Sequence, residues 1–434
     1  MPKDPWDLPL STGSSGAAEQ YVLGVGKLLS ANVGAEEALG RAIMADPRFA
    51  LAHAARARAL QLRGALPEAR AAAARAAQLA SSATRRERSH VEALALNLEA
   101  DMPRTLAHVL EHLREFPRDG VVLSLASGVF GLIGFSGRRD RNEMQLDLLE
   151  GLAVSYGEDW WFLGVHGFAC TEADQRKRGR RLIERALVLN PRNGYAAHGV
   201  AHACYEGNGS EEGVAFLRPW LADYDRAAQL HCHLSWHLAL FELALGRSEI
   251  AWTLYDERIR PANSYASPLI TLSDSVSLLW RCRLWDKERG TVAWGELRDF
   301  ARRSFPATSL AFADAHVVMA CAAYGDRAGA EARIEEMRRL ERGGRQPAGR
   351  VATDVAEAMA AFARGDDDAV VRLLEPLLAE LVRVGGSHAQ RDVFEETLLG
   401  AYLRSGRTEA AELLFRQRLE RRPSARDRSR LNPS

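Results

Sequence analysis

The sequence has no excess of charge of either sign. It contains 57 Lys and Arg residues against 57 Asp and Glu residues, which gives a formal net charge of zero over 434 residues. Proteins that bind nucleic acids or anionic membrane surfaces usually carry a basic excess that attracts the partner from a distance. We therefore expect no nucleic-acid partner and no membrane partner for the chain as a whole.

The sequence also lacks the features of secreted and membrane proteins. It has only five cysteines, an odd number, and no CxxC pair, so it has no obvious disulfide framework or cysteine metal site. No run of about 18 apolar residues is present, and the first twenty residues contain no apolar core of signal-peptide length. We expect a protein of the cytoplasm with reduced thiols.

Common catalytic and nucleotide-binding motifs are absent. The chain contains no GxGxxG sequence that follows a strand, no Walker loop, no HExxH and no GxSxG. It also has no convincing β-strand with alternating β-branched residues. These absences leave open whether the protein is an enzyme.

The pattern that is present is helical. Ala, Leu, Arg and Glu dominate, and apolar residues recur every three or four positions, as in 49–64 and 66–80. Three helical segments end at Pro47, Pro117 and Pro191, which are 70 and 74 residues apart. Because these gaps equal two repeats of a unit close to the roughly 34 residues of a tetratricopeptide repeat (TPR), we predict an all-α fold. The expected architecture is a superhelical TPR-like α-solenoid of helix-turn-helix repeats.

The ends of the chain differ from its repeats. We expect a polar N-terminal arm over 1–15, N-terminal helical repeats over 16–150, TPR-like repeats over 151–420 and a basic tail over 421–434.

Histidine is concentrated in one part of the sequence. Of twelve histidines, five lie between His198 and His237. His198 and His202 are four residues apart, as are His233 and His237, so each pair occupies one face of a helix. The two pairs are separated by 35 residues, which is one repeat. We therefore expect all four imidazoles to converge from successive helices that pack about 8–10 Å apart.

Three interpretations of this cluster stay open at the sequence level. It is a hydrogen-bonded network between packed helices, a metal site in which His198, His202, His233 and His237 are ligands, or a metal-free acid–base or anion pocket. A divalent metal is the one cofactor that the sequence suggests.

Further polar residues interrupt later apolar helices. A charged side chain is costly in a core unless it is paired, so these positions are expected to face water or one another along a polar inner wall. With the four histidines, they make up a set of candidate pocket residues, catalytic or binding, with no role assigned: His198, His202, His233, His237, Asp274, His316, His388, Arg391 and Asp392.

Several of these stretches resemble the tetratricopeptide repeat protein 38 family. The resemblance covers roughly residues 155–420 and is carried by an HxxxH pair and by short motifs of His, Trp, Tyr, Asp, Ser, Gln and Arg. These motifs fall on His198 and His202; His233, Trp236 and His237; Tyr255 and Asp256; Asp274, Ser277 and Leu278; Asp314 and His316; and Ser387, His388, Gln390, Arg391 and Asp392. The family usually has a Glu three residues after the second histidine, where this chain has Tyr205, with Glu206 one step later. The resemblance implies a TPR-like fold and does not specify an activity.

These observations lead to one functional expectation and one alternative. We expect a TPR-like protein that binds a small molecule or short peptide in a His/Asp-lined concave cavity, with chemical conversion of the ligand left open. The alternative is a non-catalytic protein-interaction scaffold, with a protein partner or a second copy of the chain bound to the repeats.

Overall fold

The computed structural model describes residues 1–285, 292–422 and 424–431. These residues form 23 α-helices and no β-strand; one isolated bridge joins Lys3 and Pro9. The all-α prediction is therefore confirmed.

The chain forms two compact units. The first comprises Met1–Gly134, Asn142–Gly199 and Ala227–Leu230, and the second comprises Phe135–Arg141, Val200–Arg226 and His231–Ser434.

The first ten helices are α1 (Ser15–Leu29), α2 (Ala35–Ala45), α3 (Ala50–Arg63), α4 (Leu66–Ala80), α5 (Arg85–Leu98), α6 (Met102–Glu115), α7 (Gly120–Ala126), α8 (Arg141–Tyr156), α9 (Trp160–Glu172) and α10 (Arg176–Leu189). The next helices are α11 (Gly194–Glu206), α12 (Ser210–Ala222), α13 (His231–Ala244), α14 (Ser248–Leu254), α15 (Pro268–Leu284), α16 (Val292–Ser304), α17 (Ala311–Tyr324), α18 (Arg327–Arg342), α19 (Arg350–Arg364), α20 (Asp367–Leu374), α21 (His388–Arg404), α22 (Thr408–Arg421) and α23 (Ala425–Leu431). Short π and 3₁₀ turns occupy Tyr255–Ile259, Pro261–Asn263 and Glu375–Val384.

Helix ends follow local sequence signals. Pro47, Pro117 and Pro191 all lie in the links that precede α3, α7 and α11, because proline disfavours helical geometry in the residue before it. Gly64 and Gly325 end α3 and α17 with φ angles of 87° and 94°, a left-handed conformation that glycine adopts without strain. The proline period therefore marks repeat boundaries, as predicted.

Consecutive helices pack as pairs. In the first unit α1 packs on α2, α3 on α4 and α9 on α10; in the second, α17 packs on α18 and α19 on α20. The helix α17 also packs on α15 and α19, and α21 packs on both α15 and α19. The protein therefore has a TPR-like helical-repeat fold, in which each pair covers the apolar face of its neighbour.

The N-terminal arm is packed against the first unit. Trp6 is 5% exposed and Leu10 is fully buried. The Trp6 ring lies 6.5 Å from Tyr156 and 6.3 Å from Trp161, and its Nε1 donates a hydrogen bond to Asp159. Burial of the apolar area of these two side chains stabilises the docked segment, although most of its other residues are polar.

The C-terminal segment, which the sequence predicts to be a basic tail, contains the helix α23. Asp427 is 1% exposed and accepts a hydrogen bond from the Nε of Arg418 at 3.0 Å. Arg426 donates to Glu396 at 2.5 Å. These buried carboxylates hold α23 against α21 and α22. Residues 423 and 432–434 of the predicted tail lie outside the described residues.

Candidate metal centre

The helices α11 and α13 carry the two predicted histidine pairs. Their four side chains are all buried, with exposures of 8% for His198, 0% for His202, 5% for His233 and 0% for His237. One nitrogen from each of the four imidazoles lies within 4.8 Å of all the others. The prediction that the pairs converge is therefore confirmed by the histidine cluster.

The size of the cluster suits a single metal ion. Zn–N bonds of about 2.0–2.1 Å place the nitrogens of a tetrahedral site roughly 3.4 Å apart. The rings of His202 and His237 meet at 69° with centroids 4.6 Å apart, and those of His233 and His237 are 4.8 Å apart. The observed limit of 4.8 Å is therefore wider than the spacing in a closed tetrahedral site, and ion binding would draw the four nitrogens closer together.

A buried carboxylate orients one of these histidines. Asp274 on α15 is fully buried and accepts a hydrogen bond from the Nδ1 of His233 at 2.8 Å. The proton on Nδ1 leaves the other ring nitrogen, Nε2, as the one that carries a lone pair. Histidines that bind metals are commonly held by a carboxylate in this way.

The indole ring of Trp236 packs against one face of the same histidine, His233. Trp236 stacks on His233 with centroids 5.2 Å apart and an angle of 12°, and its Nε1 donates to the hydroxyl of Ser277 at 3.1 Å. Asp274 and Ser277 are three residues apart on one face of α15. The sequence motifs around His233 and Asp274 thus correspond to a single packed contact between α13 and α15.

His316, on α17 in the second unit, is not a member of the cluster of four histidines. It is fully buried on α17, and its Nδ1 donates to the carbonyl oxygen of Phe312 at 2.7 Å. Burial, helped by the charge of Arg281, lowers the pKa of His316 to about 4. The ring is therefore neutral at pH 7 and packs 4.5 Å from Phe312 and 6.0 Å from Phe394.

The α21 residues contact one another and the C-terminal helices. The Nδ1 of His388 lies 3.9 Å from Glu206, and Arg391 donates to the carbonyl oxygen of Gly386. Asp392 accepts hydrogen bonds from Tyr205 at 2.6 Å, Arg418 at 2.5 Å and Arg422 at 2.8 Å. The structure thus brings His388, Arg391 and Asp392 to one end of α21.

Electrostatics keeps Asp392 ionised. Burial favours the neutral acid, but the charges of Arg418 and Arg422 outweigh it and hold the pKa of Asp392 well below its usual value. The neighbouring Tyr205 and Glu206 both reach α21, because Tyr205 contacts Asp392 and Glu206 faces His388.

A pocket of about 460 Å³ opens in the second unit beside these residues. Its lining includes Tyr205, Phe241, Arg281, Trp285, Glu396, Arg422 and Arg426, and none of the four clustered histidines. Sequence reasoning missed this pocket because Arg422 and Arg426 were placed in a tail. The spacing of four residues from Arg418 to Arg422 and again from Arg422 to Arg426 was the available signal that they share contacts.

The comparisons with known proteins are as follows. No family model matches the chain. A monomeric mutant of IFIT1 with Gppp-AAAA gives a TM-score of 0.38 at 12% identity, over 98% of this chain and 96% of that chain. A second IFIT1 mutant, with m7Gppp-AAAA, gives the same TM-score and identity over 98% and 95%. The Naa15/Naa10 structure bound to HypK-THB gives 0.25 at 12% identity, over 96% of this chain and 65% of that chain.

The class of the protein follows from its own helix pairs: it is a TPR-like helical-repeat protein with a buried cluster of four histidines. Within the part of the chain that the structure describes, no helix is long and apolar enough to cross a membrane.

Proposed function

We propose that this chain is a metal-binding protein of the TPR-like class, in which His198, His202, His233 and His237 bind one divalent transition-metal ion. The observation that carries the proposal is the convergence of four buried imidazole nitrogens within 4.8 Å of one another. Four neutral imidazoles that each offer one nitrogen at such short separations suit a cation.

The donor set selects the kind of ion. Four imidazoles offer borderline nitrogen ligands, which suit Zn²⁺, Cu²⁺, Ni²⁺ or Co²⁺ and disfavour Mg²⁺ and Ca²⁺, which prefer oxygen. Zn²⁺ fits a set of four ligands in a roughly tetrahedral arrangement. The carboxylate of Asp274 would increase the basicity of His233 and partly offset the charge of the ion.

The four histidines differ in their surroundings, which bears on ligand binding. His202 and His237 are fully buried, His233 is fixed by Asp274 and Trp236, and His198 is the most exposed of the four at 8%. An ion held by three of them has an open position, at which a metal acts as a Lewis acid toward a small molecule or short peptide. We propose that His198 is the ligand that gives way to this molecule.

The test measures metal in the purified protein and its uptake by the metal-free protein. We expect close to one Zn²⁺ or equivalent ion per chain by mass spectrometry of the elements. We also expect Co²⁺ to give the intense visible absorption of a tetrahedral site. The double variant His202→Gln, His237→Gln should lose both signals.

The matched control is His231→Gln. His231 is also buried on α13 but lies outside the cluster, so its replacement should leave metal content unchanged. Metal-free protein that takes up no Co²⁺ would contradict the proposal. The cluster would then be a structural hydrogen-bond network, and the scaffold function would be favoured.

A further inference from the structure

A second buried polar cluster lies in the first unit and involves other residues than the four histidines. Asp119 precedes α7 and is 3% exposed. Its carboxylate accepts hydrogen bonds from Arg86 at 3.0 Å, from the Nδ1 of His90 at 2.9 Å and from the Nε2 of His112 at 3.2 Å. It also accepts from the backbone N–H of Val122 at 3.4 Å, which fixes it at the start of the helix.

The charge state of Asp119 decides which nitrogen of His112 carries a proton. Burial alone favours the neutral acid, but the charge of His90, the hydrogen bonds from His112 and His90, and Arg86 together hold the pKa of Asp119 well below its usual value. An ionised carboxylate only accepts hydrogen bonds. The Nε2 of His112 is therefore protonated, and in the neutral ring the Nδ1 is an acceptor.

Ser89 lies at that acceptor. Its Oγ is 2.9 Å from the Nδ1 of His112, so the hydroxyl donates its proton to the imidazole. Ser89, His112 and Asp119 come from α5, α6 and the start of α7, and they form a continuous chain from hydroxyl to base to carboxylate. This is the arrangement that activates serine in hydrolases of unrelated folds, which is recognised by geometry and roles. Here Nδ1 faces the serine and Nε2 faces the carboxylate, which exchanges the usual nitrogens.

We propose that Ser89 is an activated nucleophile that accepts an acyl group from small esters. The Oγ of Ser89 attacks the ester carbonyl carbon while its proton passes to the Nδ1 of His112. The C–O bond to the alcohol then breaks, and His112 returns the proton to the leaving oxygen. Water, deprotonated by the same nitrogen, cleaves the acyl–Ser89 ester, so ester and water give acid and alcohol.

The surroundings of Ser89 limit the substrate. Ser89 and His108 are both only partly buried, so the proposed ester approaches Ser89 from the solvent side. The Nε2 of His108 donates to the carbonyl oxygen of Ser89 at 2.9 Å and lies 3.3 Å from its Oγ, which places His108 beside the serine hydroxyl. The site lies on the side of a helix, so short acyl groups such as acetyl are the class that fits it.

The remaining members of the cluster are positioning residues. Arg86 also donates to the carbonyl oxygen of Pro9 at 2.8 Å, and His90 is 1% exposed. Both hold the Asp119 carboxylate ionised and fixed through their hydrogen bonds to it.

The experiment uses a fluorophosphonate probe, which phosphonylates activated serines, on the full chain. We expect labelling at Ser89, identified by the mass of its peptide, and none in Ser89→Ala. Loss of a general base typically costs about 10²–10⁴ in rate, so His112→Gln should label at least about 100-fold more slowly. Ser82→Ala removes an exposed serine near the start of the same helix and should label like the wild type.

A second measurement is the hydrolysis of p-nitrophenyl acetate, corrected for the background rate. Ser89→Ala should lose the burst of p-nitrophenol that accompanies acyl-enzyme formation. Wild-type protein that leaves Ser89 unlabelled overturns the proposal, as does a burst that is equal in wild type and Ser89→Ala. The second comparison holds even if His112→Gln does not fold, because Ser89 is a partly exposed residue that alanine can replace in a helix.

Discussion

The chemical role of an individual residue in this protein depends on the residues of other helices that it contacts. His233 is an example, because a carboxylate 41 residues away fixes its tautomer and an indole on its own helix fixes its plane. His316 is a histidine of another kind, since it is enclosed by aromatic rings and its Nδ1 is bound to a backbone carbonyl. The two side chains are chemically identical. Their surroundings suit His233 to bind a ligand, whereas they make His316 a packed residue of the core.

At the residue scale, His316 should make the fold sensitive to acid. Its pKa is about 4 in the folded protein and 6.5 in an unfolded chain. Between these values the unfolded state binds more protons, so stability falls as pH drops from 6.5 to 4, by up to about 3 kcal/mol. Replacing His316 with Gln should remove this component, measured as a smaller change in unfolding free energy between pH 7 and pH 4.5.

The partly exposed His53 is the control for this substitution, and His53→Gln should alter the pH dependence less. An equal loss of stability on acidification in wild type and His316→Gln would show that His316 does not titrate in this range.

Whole elements are positioned by a few large side chains and by ion pairs. The N-terminal segment of Met1–Ser14 is short and polar, yet Trp6 and Leu10 anchor it in the first unit. The short helix α23 is anchored by Asp427 through Arg418. Neither segment has a strong helical period, so contacts with other elements, rather than local propensity, determine their place.

At the element scale, we expect Trp6→Ala to destabilise the first unit by about 3–5 kcal/mol. The reason is that removal of a buried indole leaves a cavity beside Tyr156 and Trp161 and an acceptor at Asp159 without its donor. Urea unfolding followed by circular dichroism would measure the change. Met44→Ala, at a side chain that is 74% exposed, should change stability by less than about 0.5 kcal/mol. Equal effects of the two substitutions would mean that the arm contributes nothing to the unit.

The molecule as a whole consists of repeats whose apolar faces are covered by their neighbours, with polar clusters placed where helices meet. A metal ion that binds only the folded chain links one such cluster to the stability of the fold. The free energy gained is about 2.7 kcal/mol at a metal concentration 100 times the dissociation constant.

At this scale, Zn²⁺ added to metal-free protein should raise the melting temperature. For a cooperative unit of roughly 200 residues, about 2.7 kcal/mol corresponds to a rise of ~5–10 °C. Differential scanning calorimetry with and without a chelator would measure the shift. The double variant His202→Gln, His237→Gln should melt at one temperature in both conditions. A wild-type protein whose melting is unaffected by chelator and by added Zn²⁺ would argue against the site.

The sequence by itself determined the helical class, the repeat length and the convergence of the two histidine pairs. These follow from local rules, since helical periodicity puts residues four apart on one face and proline ends a helix at a fixed place. The repeat of 35 residues then relates His198 to His233 without knowledge of the packing.

Only the tertiary structure decided which polar residues meet. Asp274 was found by sequence as one of several charged residues in apolar helices, but nothing local indicated that it contacts His233 while Asp392 contacts Arg418 and Arg422. Ser89, His112 and Asp119 carry no motif at all. Their contacts depend on how helices from different repeats are rotated relative to one another and on how burial changes the charge of a carboxylate. The spacing of residues along the chain predicts neither of these.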